Sequence, residues 1–149
     1  MGDGWTSEGQ RIMRELDKLQ DLLVKVGFQE GQKYPDGTSL TDVAAWNEFG
    51  TVNMPSRPFM RDSVDENEEK IVEFMQSQVV DIIKNRKTAE QALKEIGAFQ
   101  KGLVQETITE GNFEPNSPET IRKKGSSHPL IDTGEMRNSV NFVIGKKGG

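Results

Sequence analysis

Leu22-Leu23-Val24-Lys25-Val26-Gly27-Phe28 is the stretch that separates an α+β chain from an all-helical one. Branched residues dominate it, and Leu22, Val24, Val26 and Phe28 fall on one side at a period of two, the repeat of a half-buried strand. Ser139-Val140-Asn141-Phe142-Val143-Ile144 alternates in the same way near the far end of the chain. The two predict an antiparallel pair. The fold class expected is therefore α+β: a small antiparallel sheet packed on one face by several amphipathic helices, as a single domain over residues 1–149. Residues 1–6 and 145–149 are expected to fray.

Outside these strands the pattern is largely helical. A hydroxyl or acid followed three residues later by an acid or amide can satisfy two amide hydrogens reciprocally at a helix start. Ser7 with Gln10 predicts a helix to about Leu22, with Ile12, Leu16 and Leu19 on one face. Ser63 with Glu66 predicts a long helix to about Lys84, in which Ile71, Met75, Val79 and Ile82 recur at helical spacing. Thr88 with Gln91 predicts another to about Glu110, burying Ala92, Leu93, Ile96, Phe99, Leu103 and Ile108. Gly97 and Gly102 weaken that helix by about 1 kcal/mol each relative to Ala and suggest close approach of another backbone. A shorter helix runs from Ser39 or Leu40 to Phe49, with Leu40, Val43 and Ala44 inward; Trp46 and Phe49 read first as core, with Trp46 at an interface as the second reading. Tyr34-Pro35-Asp36-Gly37-Thr38 reads as a turn. Residues 111–130 read as a long loop with one short helix at Ser117-Pro118, and a last short helix opens at Asp132 and Glu135.

At 149 residues the chain can bury one core, but only 33% of it is hydrophobic and 29% is charged; mean hydropathy is −0.67. Such a lean core suits long exposed helices or burial completed against other subunits. No run approaches the roughly 18 apolar residues of a membrane span, and Met1-Gly2-Asp3-Gly4-Trp5 lacks the features of a signal peptide. With no Cys, disulfides and thiolate metal sites are excluded. A cytoplasmic origin is expected.

The net charge of −5 argues against a surface that grips nucleic acid throughout. Residues 111–149 hold six basic groups against four acids, a net +2, leaving −7 elsewhere. Arg122, Lys123 and Lys124 make the local positive spot, either a solvated turn or a contact for phosphate or an acidic partner.

The groupings that carry chemistry are missing. His128 is the single His; Ser126, Ser127 and Asp132 are near it in sequence, but no nucleophile elbow frames them. The acids Asp62, Asp65, Glu66, Glu68 and Glu69 lack the Gly-punctuated calcium-loop pattern and read as a solvated helix start. No phosphate-cradling Gly loop occurs, and aromatics do not interleave with the basic run as stacking on single strands requires. No enzyme activity, catalytic residue, metal or cofactor is expected.

What remains is Met54-Pro55-Ser56-Arg57-Pro58-Phe59. Each Pro fixes its own φ near −65° and keeps the residue before it out of the helical region, so the segment should be extended and stiff. It would hold Arg57 and Arg61 in fixed positions with Phe59 between them. Two readings stand: Phe59 and Met60 plug the core while the two Arg cap or pair with nearby acids, or an Arg reaches across a subunit boundary to a carboxylate.

Asn47-Glu48-Phe49-Gly50-Thr51, then Pro55-Ser56-Arg57-Pro58-Phe59-Met60-Arg61, then Lys123-Lys124-Gly125-Ser126 and Pro129-Leu130-Ile131-Asp132-Thr133-Gly134-Glu135-Met136-Arg137-Asn138-Ser139 resemble the signatures of small morphogenesis proteins of long-tailed bacteriophages and prophages. These are tail-completion, minor-tail or head–tail joining components. The resemblance spans Val43 to Ile144. It implies a virion structural component forming a ring, often six-fold, with copies of itself and other tail or neck proteins as partners. It also implies host cytoplasm during assembly and then the virion as location, a possible contact with passing DNA, and no role at a membrane. Arg57, Phe59 and Arg61, with Arg122, Lys123 and Lys124, are the expected contact residues. Two other classes stay open. A nucleic-acid-binding regulator would bind DNA as a dimer at moderate salt, and a small hydrolase would lose its activity on His128→Ala.

Overall fold

The computed structural model describes residues 5–110 and 134–147. In chain order these form α1 (Ser7–Asp21), β1 (Leu22–Gly27), α2 (Leu40–Phe49), α3 (Phe59–Asp65), α4 (Glu68–Ile83), α5 (Ala89–Glu110), α6 (Gly134–Ser139) and β2 (Asn141–Lys146). β1 and β2 pair antiparallel, and the fold is α+β. The described residues fall within two compact units. One is drawn from Met1–Val26, Glu68–Gln100 and Phe142–Gly149, the other from Gly27–Asn67 and Lys101–Asn141.

In the first unit α1 begins one residue earlier than the Ser7–Gln10 reading implies: Thr6 is the N-cap, its Oγ1 accepting the Gly9 N–H at 3.0 Å. Arg11 holds Glu8 at 2.7 Å and donates to the Ile83 carbonyl at 3.0 Å, fastening α1 to the end of α4. The box at the head of α5 forms in full. Thr88 N–H donates to Gln91 Oε1 at 2.9 Å, and Gln91 N–H donates to Thr88 Oγ1 at 3.2 Å. Phe74 of α4 stacks on Phe99 of α5, centroids 4.2 Å apart and planes 3° from parallel. Lys87, in the connection between these helices, bonds Glu95 at 2.6 Å, Asp81 at 3.2 Å and Gln78 Oε1 at 2.8 Å. Hydrogen bonding from Lys87, and less from Arg86, holds the Asp81 carboxyl below the usual carboxylate range.

Gly97 does make room for a close neighbour, but the neighbour is a ring: a Cβ there would overlap the Phe142 side chain. Nothing lies within 4 Å of a Cβ at Gly102. The edge pairing continues through Lys146, past the expected end at Ile144, and Lys147 N–H donates to the Asp21 carbonyl at 3.0 Å.

The long helix expected from Ser63 to Lys84 is two helices, α3 and α4, broken at Glu66–Asn67. Ser63 lies inside α3, fully buried, its hydroxyl donating to the Met60 carbonyl at 2.6 Å rather than capping. Asn67 turns the chain by donating its side-chain amide to the Ser63 carbonyl at 2.9 Å. Within α4 the buried residues are Gln78 and Ile82. Met75 and Val79, expected to face inward, are exposed.

In the second unit Leu40 and Ala44 of α2, Phe59 of α3, Leu103, Val104 and Ile108 of α5, Met136 of α6 and Val140 are buried. Tyr34–Thr38 is the expected turn, with Gly37 N–H donating to the Tyr34 carbonyl at 2.9 Å and Thr38 N–H to Asp36 Oδ1 at 2.9 Å. Gln105 donates to the Arg137 carbonyl at 3.1 Å, seating α6 on α5.

Candidate interaction surface

The segments Asn47–Thr51 and Pro55–Arg61 form one substructure in the second unit. α2 starts at Ser39, whose hydroxyl accepts the Asp42 N–H. It ends at Gly50, whose φ of 76° is open to glycine alone at this ψ of 172°. Thr51 and Met54 close a tight antiparallel turn, with Thr51 N–H donating to the Met54 carbonyl at 2.8 Å and Met54 N–H returning to Thr51 at 3.2 Å. Val52 stands at its tip. The chain then runs back along the end of α2: Ser56 Oγ donates to the Glu48 carbonyl at 2.7 Å, and Arg57 N–H donates to the Asn47 carbonyl.

Extension ends at Pro58, with φ −79° and ψ 69°. Phe59 N–H donates to the Arg57 carbonyl at 2.8 Å, so Pro58 centres an inverse γ-turn that launches α3. Pro58 supplies no side-chain cap. The acceptor comes from α2 instead: Glu48 takes the Met60 N–H on Oε1 at 2.8 Å and the Arg61 N–H on Oε2 at 3.1 Å. A carboxylate on the free amides at the positive end of a helix is favourable on both hydrogen-bonding and dipole grounds. Sequence reading missed this role for Glu48. The available signal was a helix beginning after Pro with no capping side chain of its own. Glu48→Ala should cost about 1–2 kcal/mol, and Glu48→Gln less because one acceptor oxygen remains. Urea midpoints of the two variants check the order.

The expected contact residues separate. Phe59 is fully buried, edge-on to Phe28 with centroids 6.0 Å apart, and is a core residue rather than a surface contact. Arg57 is 8% exposed; its Nε is buried without a hydrogen-bond partner, and burial holds its pKa below the ordinary guanidinium value. Arg61 is exposed, with only its backbone N–H engaged by Glu48. Among the described residues neither guanidinium makes an ion pair. Arg122, Lys123, Lys124 and His128 lie outside the described residues.

Trp46 and Phe49, assigned to the core from sequence, are at the surface. Their exposures are 46% and 81%, and Val52 is fully exposed. The cause is helical phase: α2 buries Leu40, Ala44 and Asn47, so positions two residues beyond these point elsewhere. Trp46 and Phe49 stand one helical turn apart at the surface of α2, and Val52 is exposed at the tip of the turn beyond it; these three are the exposed apolar rim of the motif. Phe49 also lines an open apolar groove of about 370 Å³ with Phe28, Ala44, Ala45, Phe59 and Met60. Large apolar side chains held in water by a stiff scaffold are what a docking edge presents.

Among the described residues no group of three His, Asp or Glu could hold a metal, and no helix is long and apolar enough to cross a membrane. The chain matches no protein-family model, no curated protein and no solved structure.

Proposed function

We propose that this chain is a structural component of a bacteriophage or prophage virion, acting in tail completion or head–tail joining through ring-forming contacts between subunits. The observation that carries the proposal is the Trp46–Phe49–Val52 rim with its adjoining groove. Trp46 and Phe49 are exposed on α2, and Val52 on a turn that Gly50 and the Thr51–Met54 pairing fix in place. The resemblance of these same motifs to phage morphogenesis proteins supplies the setting. Head-to-tail contacts that close generate rings, and a projecting apolar edge with an apolar groove beside it suits that geometry. Partners are then further copies and other tail or neck proteins, met first in the host cytoplasm and afterwards in the virion. Arg61, on the exposed start of α3, is placed to meet an acidic group at the margin of the contact.

The test is assembly of the full chain, followed by electron microscopy and sedimentation. Wild type is expected to form rings. The double variant Phe49→Ser, Val52→Ser should lose them while melting at nearly the same temperature, because exposed substitutions usually change stability by no more than about 0.5 kcal/mol. Equal assembly by both proteins would remove the rim from the proposal.

A further inference from the structure

Of the buried polar side chains among the described residues, all but one have a partner. Asn47, Ser63 and Thr107 donate to the carbonyls of Val43, Met60 and Leu103, Gln78 accepts from Lys87, and Glu15 has Lys18 at 3.5 Å. The exception is Arg57, whose guanidinium meets neither a hydrogen-bond acceptor nor a carboxylate among the described residues. A guanidinium carries five N–H donors and keeps its charge at neutral pH, so an unpaired fork at this depth is costly. The backbone holds it there. Arg57 N–H donates to the Asn47 carbonyl, the Arg57 carbonyl accepts the Phe59 N–H at 2.8 Å, and Phe59 is fully buried. Glu48, the acid at the end of α2, is committed elsewhere, since both its oxygens take amides of α3. Of the three guanidinium nitrogens only Nε is sealed off and unbonded, so the approach to the group is from the Nη1 and Nη2 end.

We propose that Arg57 is the floor of a carboxylate-binding site, in which Nη1 and Nη2 donate in parallel to the two oxygens of one carboxylate. The flat carboxylate matches the planar fork and can enter edge-on where only 8% of the residue is reachable. Phosphate, being tetrahedral, is bulkier. Burial already disfavours the charged form of Arg57, and an opposite charge brought to it away from bulk water interacts more strongly than a pair at the open surface. The carboxylate has two sources: a small free acid, or an Asp or Glu of a neighbouring copy. The chain carries 24 acids and a net charge of −5, so a neighbour can supply one. Along the chain Arg57 lies between Val52 and Arg61, both exposed. The second source rests on the ring-forming reading above; the first stands without it.

Thermal unfolding of the full-length protein tests this, in potassium acetate against potassium chloride at equal ionic strength, with acetate as the probe. In dilute solution, where sedimentation shows a monomer, acetate should raise the wild-type Tm along a saturating curve. A tenfold excess over the dissociation constant multiplies the folding constant about elevenfold, which moves Tm by about 3–6 °C for a chain of this size. Arg57→Met should show no acetate curve. In chloride it should melt no lower than wild type, because a buried charge without a partner opposes folding. Arg57→Lys keeps the charge without the fork and should bind acetate more weakly. Raising the protein concentration in chloride alone separates the two sources. If a neighbouring copy supplies the carboxylate, Arg57→Met should self-associate about tenfold more weakly than wild type, and acetate should compete with the association. If the ligand is a free acid, both proteins associate alike and only the acetate curves differ. The monomer's acetate response should persist in Phe49→Ser, Val52→Ser, so failure of the ring reading is told apart from failure of the site. The proposal is overturned by a wild type with one Tm in both salts, or by acetate curves that wild type and Arg57→Met share. It is overturned equally by an Arg57→Met protein that melts well below wild type in dilute chloride, since the guanidinium would then have a partner within its own chain.

Discussion

Phe59→Ala should lower the unfolding free energy by about 3–5 kcal/mol, the cost of removing a fully buried aromatic ring and leaving a cavity. The ring is wholly inaccessible, and its edge-to-face partner Phe28 would lose its packing as well. The position is rigidly determined. Pro58 sets the turn that introduces it, and Glu48 fixes the first amides of α3 directly after it. Little relaxation can fill the space, which argues for the upper part of that range. Urea unfolding should show a lower midpoint at an unchanged slope. Arg61→Ala, two residues away and exposed, serves as the control and should stay within about 0.5 kcal/mol of wild type. If the two variants unfold alike, Phe59 does not anchor the core of the second unit.

Gly50→Ala should cost at least about 3 kcal/mol, from two causes that add. The backbone there, φ 76° and ψ 172°, is one that residues with a Cβ scarcely occupy. The added Cβ would also sit 2.9 Å from the Ser56 nitrogen and 3.1 Å from the Met54 oxygen, both backbone atoms that cannot rotate away. Relief requires opening the Thr51–Met54 turn, so Val52 and Phe49 would move and ring assembly should fall together with stability. Gly102→Ala is the counterpart. That residue is helical with open space around it, and Ala there should stabilise by up to about 1 kcal/mol. Thermal unfolding of the pair should move in opposite directions.

Features whose cause is local were legible in the sequence. The capping box at Thr88 and Gln91, the turn at Tyr34–Thr38, the bounds of α2 and the period-two alternation of the strand segments each depend on residues a few positions apart. The continuous helix from Ser63 failed for a physical reason of the same kind. The Ser63–Glu66 spacing is a valid local signal, but the competing start at Phe59 is capped by Glu48 from another helix, and a buried Ser63 cannot serve as a cap. Burial of single side chains was read less well. Trp46 and Phe49 were placed inside by residue type, and Met75 and Val79 by period. Which stripe of a helix is covered depends on what packs against it.

Composition, cap spacing and alternation thus determined this protein's α+β class and most of its helices, because those depend on short-range backbone chemistry. Only the tertiary structure decided that Glu48 caps a helix twelve positions downstream, that Phe59 is core while Phe49 and Val52 face water, and that α4 keeps an apolar stripe uncovered. Those outcomes rest on contacts between distant parts of the chain, and no local pattern specifies which surfaces will meet.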